Sequence, residues 1–384
     1  GELLQSEPLA AWRTYLRYHV LRDAAIFLAA PFEDESFRFF SKELNGTPQP
    51  EPRWQRVAKR LDPKIGYAVA ELYGAKYFPP TVKSRLDAMI GQMKDVLADR
   101  IKQLEWISEP TKRKALEKLS TYRVMVGVPP KWRDYSALTI SRDRFYANAK
   151  AAAFETARQL RKFGRPFDRD EWLITPHSVN AYNQPSANQL VFLAGILQPP
   201  YFDATMDDAV NFGAICAVIG HEITHGFDDK GKLYDAKGNL ADWWTKEDAA
   251  AFAERAQKLV QQFNAYQALP GLAINGQLTL GENIADLGGV SVAYEALQRS
   301  LAGKERKRID GFTPEQRFFI SWAQVWRTKT REDRLKTLVQ TDVHSPSEFR
   351  AVGPLVNLPE FYTAFGIKEG DPMWRAPELR AKIW

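Results

Sequence analysis

From Trp12 to about Tyr122 apolar residues recur at three- and four-residue intervals, most plainly in Leu86, Met89, Ile90, Met93, Val96, Leu97, Ile101 and Leu104. That period predicts helices with one packed face. Ser108, then Pro110 and the charged run Thr111 to Lys118, reads as a cap, a first-turn proline and an exposed amphipathic helix. The run Val126-Gly127-Val128-Pro129-Pro130 ends the pattern, and a domain boundary is expected close to it. A further helix is expected near residues 144–162. Next, Trp172 to Tyr182 and Gln189 to Leu193 flank the polar stretch Asn183 to Asn188, which predicts a hairpin. Helical spacing resumes at Ala209, at Thr245 to Gln267, at Glu282 to Ser300 and at Pro314 to Arg327. No internal repeat or low-complexity tract stands out.

With 384 residues, 45% of them hydrophobic, the chain can bury one large core or two smaller ones, and two lobes are expected. The net charge of +6 hides a near balance of 53 basic and 47 acidic residues mixed along the sequence. That is a mixed surface and excludes a nucleic-acid footprint. The densest basic run, Lys304 to Arg308, reads as a solvated loop. The single cysteine, Cys216, rules out an internal disulfide framework and, among apolar neighbours, is expected to pack in the core. The apolar stretch Ala24 to Phe32 is too short to span a bilayer, and no charged-then-apolar leader precedes it. Because the sequence starts with Gly1, it is read as a processed or truncated product whose targeting signal is out of view.

Chemistry concentrates at His221-Glu222-Ile223-Thr224-His225. With five histidines in the chain, an H-E-x-x-H pentapeptide arises by chance about 0.004 times per chain, which favours a motif over coincidence. On a helix over 209–226 both imidazoles share one face and can converge on one tetrahedral zinc. Glu222 lies beside that face, within reach of an attacking water and free of ligation, as a general base must be. A surface helix with an incidental histidine pair is the bland alternative. The apolar run Ala214 to Gly220 argues against it, because such a helix belongs in a core and emerges into a cleft.

A third ligand must come from elsewhere. The extension with glycine at 228 and histidine at 231 fails, since Asp228 and Gly231 stand there. In Gly281-Glu282-Asn283-Ile284-Ala285-Asp286 two carboxylates are again four residues apart. One can bind zinc while the other accepts the N–H of a ligating imidazole. The alternative is an acidic helix N-terminus with no further role. Gly226 to Lys232 mimics the start of a P-loop, but Leu233 replaces the required hydroxyl residue and two aspartates would face the phosphates. Asp235 to Asn239 lacks the spacing of a calcium loop.

Four segments in order carry a family likeness: Asn180-Ala181-Tyr182, Val218 to Asp228, Gly281 to Gly289, and Asp342-Val343-His344-Ser345-Pro346 with Arg350. Across essentially its whole length the sequence resembles the neprilysin-like (M13) zinc metallopeptidases. The resemblance implies one Zn2+ per chain held by His221, His225 and Glu282, with Glu222 as base and Asp286 as the partner of a ligating histidine. It also implies that His344 stabilises the oxyanion and that Arg350, Asn180 and Ala181 hold the substrate backbone. Ile196, Tyr201, Val218, Val325 and Trp326 would form the apolar pocket for the residue after the cleaved bond. Without the family, His344 reads sooner as a loop histidine in a turn before Pro346, Asn180 reads equally as a turn cap before the polar loop or as an edge residue set to pair with an extended peptide, and each pocket residue reads equally as plain core.

The expected fold is α+β and mainly helical: a zincin-type catalytic lobe with a small sheet, plus part of a helical lid lobe. The division is placed at 1–124 for the lid portion and 125–384 for the catalytic domain. The expected activity is zinc-dependent hydrolysis of oligopeptides. The rival is a peptide-binding fragment or subunit inactive without a separate N-terminal half, because members of the family are commonly near twice this length. Absent disulfide cysteines fit a bacterial-type member, and the ending Lys382-Ile383-Trp384 looks like a natural C-terminus. The resemblance also favours an extracytoplasmic site, periplasm or cell envelope, with no transmembrane segment in this chain.

Overall fold

The computed structural model describes residues 1–143, 148 and 151–384, and it is mainly helical with two small sheets. The helix expected near 144–162 is present over Ala151–Leu160, while 144–147 and 149–150 lie outside the described residues. The chain forms two compact units. The smaller comprises Gly1–Ile65, Asp134–Pro166 and Thr330–Thr337. Its helix Leu9–Ala24 has no buried residue, and Glu33 joins its segments by pairing with Arg56 and with Arg60 at 2.9 Å.

The larger unit comprises Gly66–Arg133, Phe167–Lys329 and Leu338–Trp384. Its elements used below are α1 (Pro80–Gln103), α2 (Glu109–Ser120), β1 (Arg123–Gly127), β2 (Ala181–Gln184), β3 (Gln189–Leu193), α3 (Ala217–Thr224), α4 (Lys246–Asn264), α5 (Leu280–Ser300), α6 (Pro314–Val325) and α7 (Ser347–Val352). The apolar stripe read on α1 is its buried face, from Leu86 to Ile101. The hairpin is β2 and β3, antiparallel with Ala181 opposite Phe192 and Gln184 opposite Gln189. Asn188 turns its corner in the left-handed region at φ 49°, a conformation asparagine tolerates. Trp172 to Asn180, expected to extend the first strand, is not a strand.

β1 was not expected. Residues 123–127, which share only Val126 and Gly127 with the run that ends the helical pattern, pair in parallel with β3, Arg123 opposite Gln189 and Gly127 opposite Leu193. With β2 on the other side of β3, the sheet order is β1-β3-β2 and β2 is an edge. All five residues of β3 are buried. Ser108 does occupy the N-cap of α2, but its hydroxyl bonds Asp248 at 2.6 Å on α4 and Thr111 Oγ1 at 3.3 Å instead of capping a backbone amide of its helix.

α3 and α5 cross with their backbones touching, because their sequences place glycine where they meet. A Cβ at Gly289 would lie 2.5 Å from the Ala217 carbonyl, and one at Gly220 would lie 2.8 Å from the Gly289 carbonyl. No other residue permits that approach. The histidine-bearing helix is thereby set against the helix that carries Glu282 and Asp286. Cys216 is fully buried at its start, and burial pushes its thiol far up, consistent with a packing role.

Candidate metal centre

α3 ends at Thr224, and His221 and His225 project from its last turn. Their Nε2 atoms face each other 2.9 Å apart, with ring planes at 86°. Each Nδ1 is committed elsewhere: His221 to Asp286 Oδ1 at 2.8 Å, His225 to Asp228 Oδ2 at 2.7 Å. An ionised carboxylate only accepts, so each Nδ1 carries a proton and each neutral ring turns a bare lone pair inward. Glu282 Oε2 lies 3.3 and 3.6 Å from those two nitrogens, buried and without a hydrogen-bond partner.

Three lone pairs aimed at one point repel unless a cation lies among them. The surroundings demand positive charge too. Burial and the neighbouring His225 oppose protonation of His221, yet the carboxylates of Asp286 and Glu282 outweigh them and draw the ring toward its charged form. Asp228 and Glu282 do the same to His225 against its burial. Two protonated Nε2 atoms cannot face each other at this distance, whereas one dication satisfies all three donors. The separations lie near the roughly 3.3–3.5 Å between ligands of a tetrahedral zinc. The residues therefore fit the metal, and among the described residues this is the group of three or more ligand types within mutual reach.

Glu222 lines the same cleft, 6% exposed, and burial raises its carboxyl above the usual range although both histidines pull it down. Its backbone is pinned, since Asn183 Nδ2 donates to the Glu222 carbonyl at 2.9 Å. Asp286 is 1% exposed and gripped by Arg350, whose Nε and Nη2 each donate at 2.8 Å. Burial disfavours the Asp286 carboxylate, but Arg350 and His221 outweigh it and hold it below the ordinary value. The guanidinium also stacks 4.0 Å over Trp326, and its Nη1 makes no hydrogen bond among the described residues. His344 Nδ1 bonds Asp342 at 2.7 Å, leaving Nε2 3.4 Å from Glu282 Oε2 with the side chain 48% exposed.

The cleft has a volume of about 570 Å3. Asn180, Ala181, Ile196, Tyr201, Val218, Trp326, His344 and Arg350 all line it, together with Trp322. Val325 is buried beside Trp326 and is not among the lining residues. Asn180 Oδ1 accepts the N–H of Ala181 at 2.9 Å. Its own main chain is committed, the N–H to the Ser178 carbonyl at 3.0 Å and the carbonyl to the Leu193 amide at 3.3 Å, so the edge strand β2 begins at Ala181.

Asp228 was not singled out from the sequence. Its signal is an acidic residue three positions past the second histidine, where a turn can fold it back. Its Oδ1 accepts the amides of Lys230 at 2.8 Å and Gly231 at 2.6 Å, fixing that turn. Lys118 was expected on an exposed face but is 1% exposed, because α2 buries Thr111, Ala115, Lys118 and Leu119 along one stripe.

Comparison with known proteins agrees with the resemblance. Models of peptidase family M13 match residues 180–381 and residues 1–129. Mouse membrane metallo-endopeptidase-like 1 is 36% identical over 398 residues, covering 100% of this chain and 52% of its own length. Human neprilysin is 36% identical over 364 residues, covering 91% and 48%. The crystal structure of Mycobacterium tuberculosis zinc metalloprotease ZMP1 with an inhibitor superposes with a TM-score of 0.96 at 42% identity, over 100% of this chain and 59% of that one. The chain spans about half the length of the curated relatives it matches. Matched over both segments, and carrying the paired histidines and carboxylates at one cleft, the chain belongs to peptidase family M13.

Proposed function

We propose that this chain is a zinc-dependent endopeptidase that hydrolyses peptide bonds of oligopeptides. The observation that carries the reading is the convergence of two Nε2 lone pairs and an unpartnered Glu282 oxygen beside Glu222 in one cleft. His221, His225 and Glu282 would hold one zinc per chain. When bound, zinc supplies a Lewis acid that polarises the scissile carbonyl and acidifies water.

Glu222, its carboxyl raised by burial, accepts a proton from the attacking water and returns it to the leaving amine. Asp286 holds the tautomer of His221, and Asp228 that of His225. His344, held through Nδ1–H by Asp342, acts as an imidazolium that donates from Nε2 to the developing oxyanion. The edge of β2 at Ala181 pairs with an extended peptide, the Asn180 side chain beside it holds the substrate backbone, and Nη1 of Arg350 reaches a substrate carbonyl. Ile196, Tyr201, Val218 and Trp326 receive an apolar side chain after the cleaved bond, and Val325, buried next to Trp326 in sequence, does not line that cleft.

Residues 1–124 would serve as the lid portion and 125–384 as the catalytic domain. Among the described residues no helix is long and apolar enough to cross a membrane. An extracytoplasmic site, periplasm or cell envelope, is proposed with it, supported by the likeness to a protein named a membrane metallo-endopeptidase. The deciding experiment measures zinc content and cleavage of a mixed peptide library by the chain alone and with an N-terminal half added. Zinc-dependent cleavage by the chain alone is expected. A metal-loaded chain that cleaves nothing without the added half would turn the reading to its rival.

A further inference from the structure

Among the described residues Lys118 is a buried lysine that the proposed chemistry does not use. Lys118 on α2 is 1% exposed, and no carboxylate pairs with it among the described residues. Its Nζ donates to the carbonyls of Gly226, Gly231 and Tyr234, each at 2.7 Å. Three ammonium protons meet three acceptors, and the ring of Phe227 lies 5.6 Å away as a fourth wall. Burial pushes the Lys118 ammonium down to about 8, while Asp228 and Asp235 work the other way, so it keeps its proton at neutral pH. A methionine fills such a space without the cost of burying a charge. What the ammonium adds is a fixed point around which a loop is wound.

That loop is the one that matters to the metal. Gly226 follows His225 directly, and the three carbonyls bracket Asp228, whose Oδ2 holds His225 Nδ1 and whose Oδ1 holds the amides of 230 and 231. The peptide of Gly231 is thus held at both ends: its amide by Asp228, its carbonyl by Lys118. The same side of the fold steadies the helix end, with Tyr122 Oη donating to the Ile223 carbonyl at 3.4 Å.

We propose that Lys118 is a positioning residue whose ammonium templates the loop 226–234, aligning Asp228 on His225 and setting the strength with which His225 holds the metal. The inference rests on the zinc reading of the site. It is tested with Lys118→Met and Lys118→Ala in the whole chain. Zinc affinity is read by chelator competition, and solvent exchange of the His225 Nδ1 proton is read by NMR on the metal-free protein.

Lys118→Met is expected to weaken zinc about 10- to 100-fold, the range for losing an outer partner of a ligand, and to speed Nδ1 exchange at His225 while His221 stays slow. Methylammonium should restore affinity to Lys118→Ala saturably, because it refills the three-carbonyl cage. That rescue also keeps the test alive if Lys118→Met does not fold. Wild-type zinc affinity in a folded Lys118 variant, unchanged exchange at His225, or no effect of methylammonium would overturn the proposal. If the wild-type chain binds no zinc, the zinc reading fails, while the exchange at His225 still decides whether Lys118 positions Asp228.

Discussion

The two ligand-type histidines carry the same bond to a carboxylate, yet the two carboxylates are held by different kinds of structure. Asp286 comes from α5, across a glycine-lined helix crossing, and is locked by both nitrogens of one face of Arg350. Asp228 comes from the turn just past His225, held by two backbone amides and, behind them, by a buried ammonium. One arm is rigid because two helices cannot move without losing a packed interface. The other is a loop, and a loop keeps its shape only while its polar anchors last. The difference teaches that the metal pair has a strong arm and a conditional one.

The largest expected effect leaves both arms intact. Glu222→Gln removes only a proton acceptor, so turnover should fall by roughly 10³-fold or more while zinc content stays at one per chain. Steady-state hydrolysis and metal analysis on one preparation check it, and lost zinc would mean that Glu222 supports an arm after all. His344→Ala comes next, with turnover down by about 10²-fold and zinc affinity unchanged, the loss of one oxyanion donor. A drop in zinc affinity there would add a third arm.

The comparison itself is sharpened by Asp286→Asn against Asp228→Asn. Both should weaken zinc within the roughly 10- to 100-fold range of such partners, with Asp286→Asn the larger because it also strands the buried Arg350 guanidinium. Chelator competition gives the order, and a larger loss for Asp228→Asn would reverse the assignment of strong and conditional arms. The smallest effect is expected at the apolar pocket. Val218→Ala should cost about tenfold in kcat/KM for a substrate with a large apolar residue after the cleaved bond, with little change for a small one. Equal losses for both substrates would mean that Val218 does not read that side chain.

The helix-borne half of this centre was legible because four-residue spacing is itself geometry: His221 with His225 and Glu282 with Asp286 must share faces wherever a helix forms. The glycines that let α3 and α5 touch stand in the quoted segments, although nothing in the spacing says what they touch. Asp228 was missed because a turn has no period to betray it. Lys118 was misread because a charged run on an amphipathic helix predicts solvent, and a cage of three carbonyls 108 or more positions away leaves no local trace. β1 escaped notice for a related reason. A short buried strand against a proline pair looks like the end of a helix until its partner is known. In the pocket, Trp322 lines the cleft with Trp326 because they stand four positions apart on α6 and its C-cap.

The central claim is that His221, His225 and Glu282 together hold one zinc. X-ray absorption at the zinc edge, on the purified chain and on Glu282→Ala, tests it most directly. The account predicts two imidazole nitrogens and at least one oxygen at about 2.0–2.2 Å in the wild type, with the metal lost from the variant. A sulfur neighbour, or a zinc shell that survives Glu282→Ala unchanged, would contradict it.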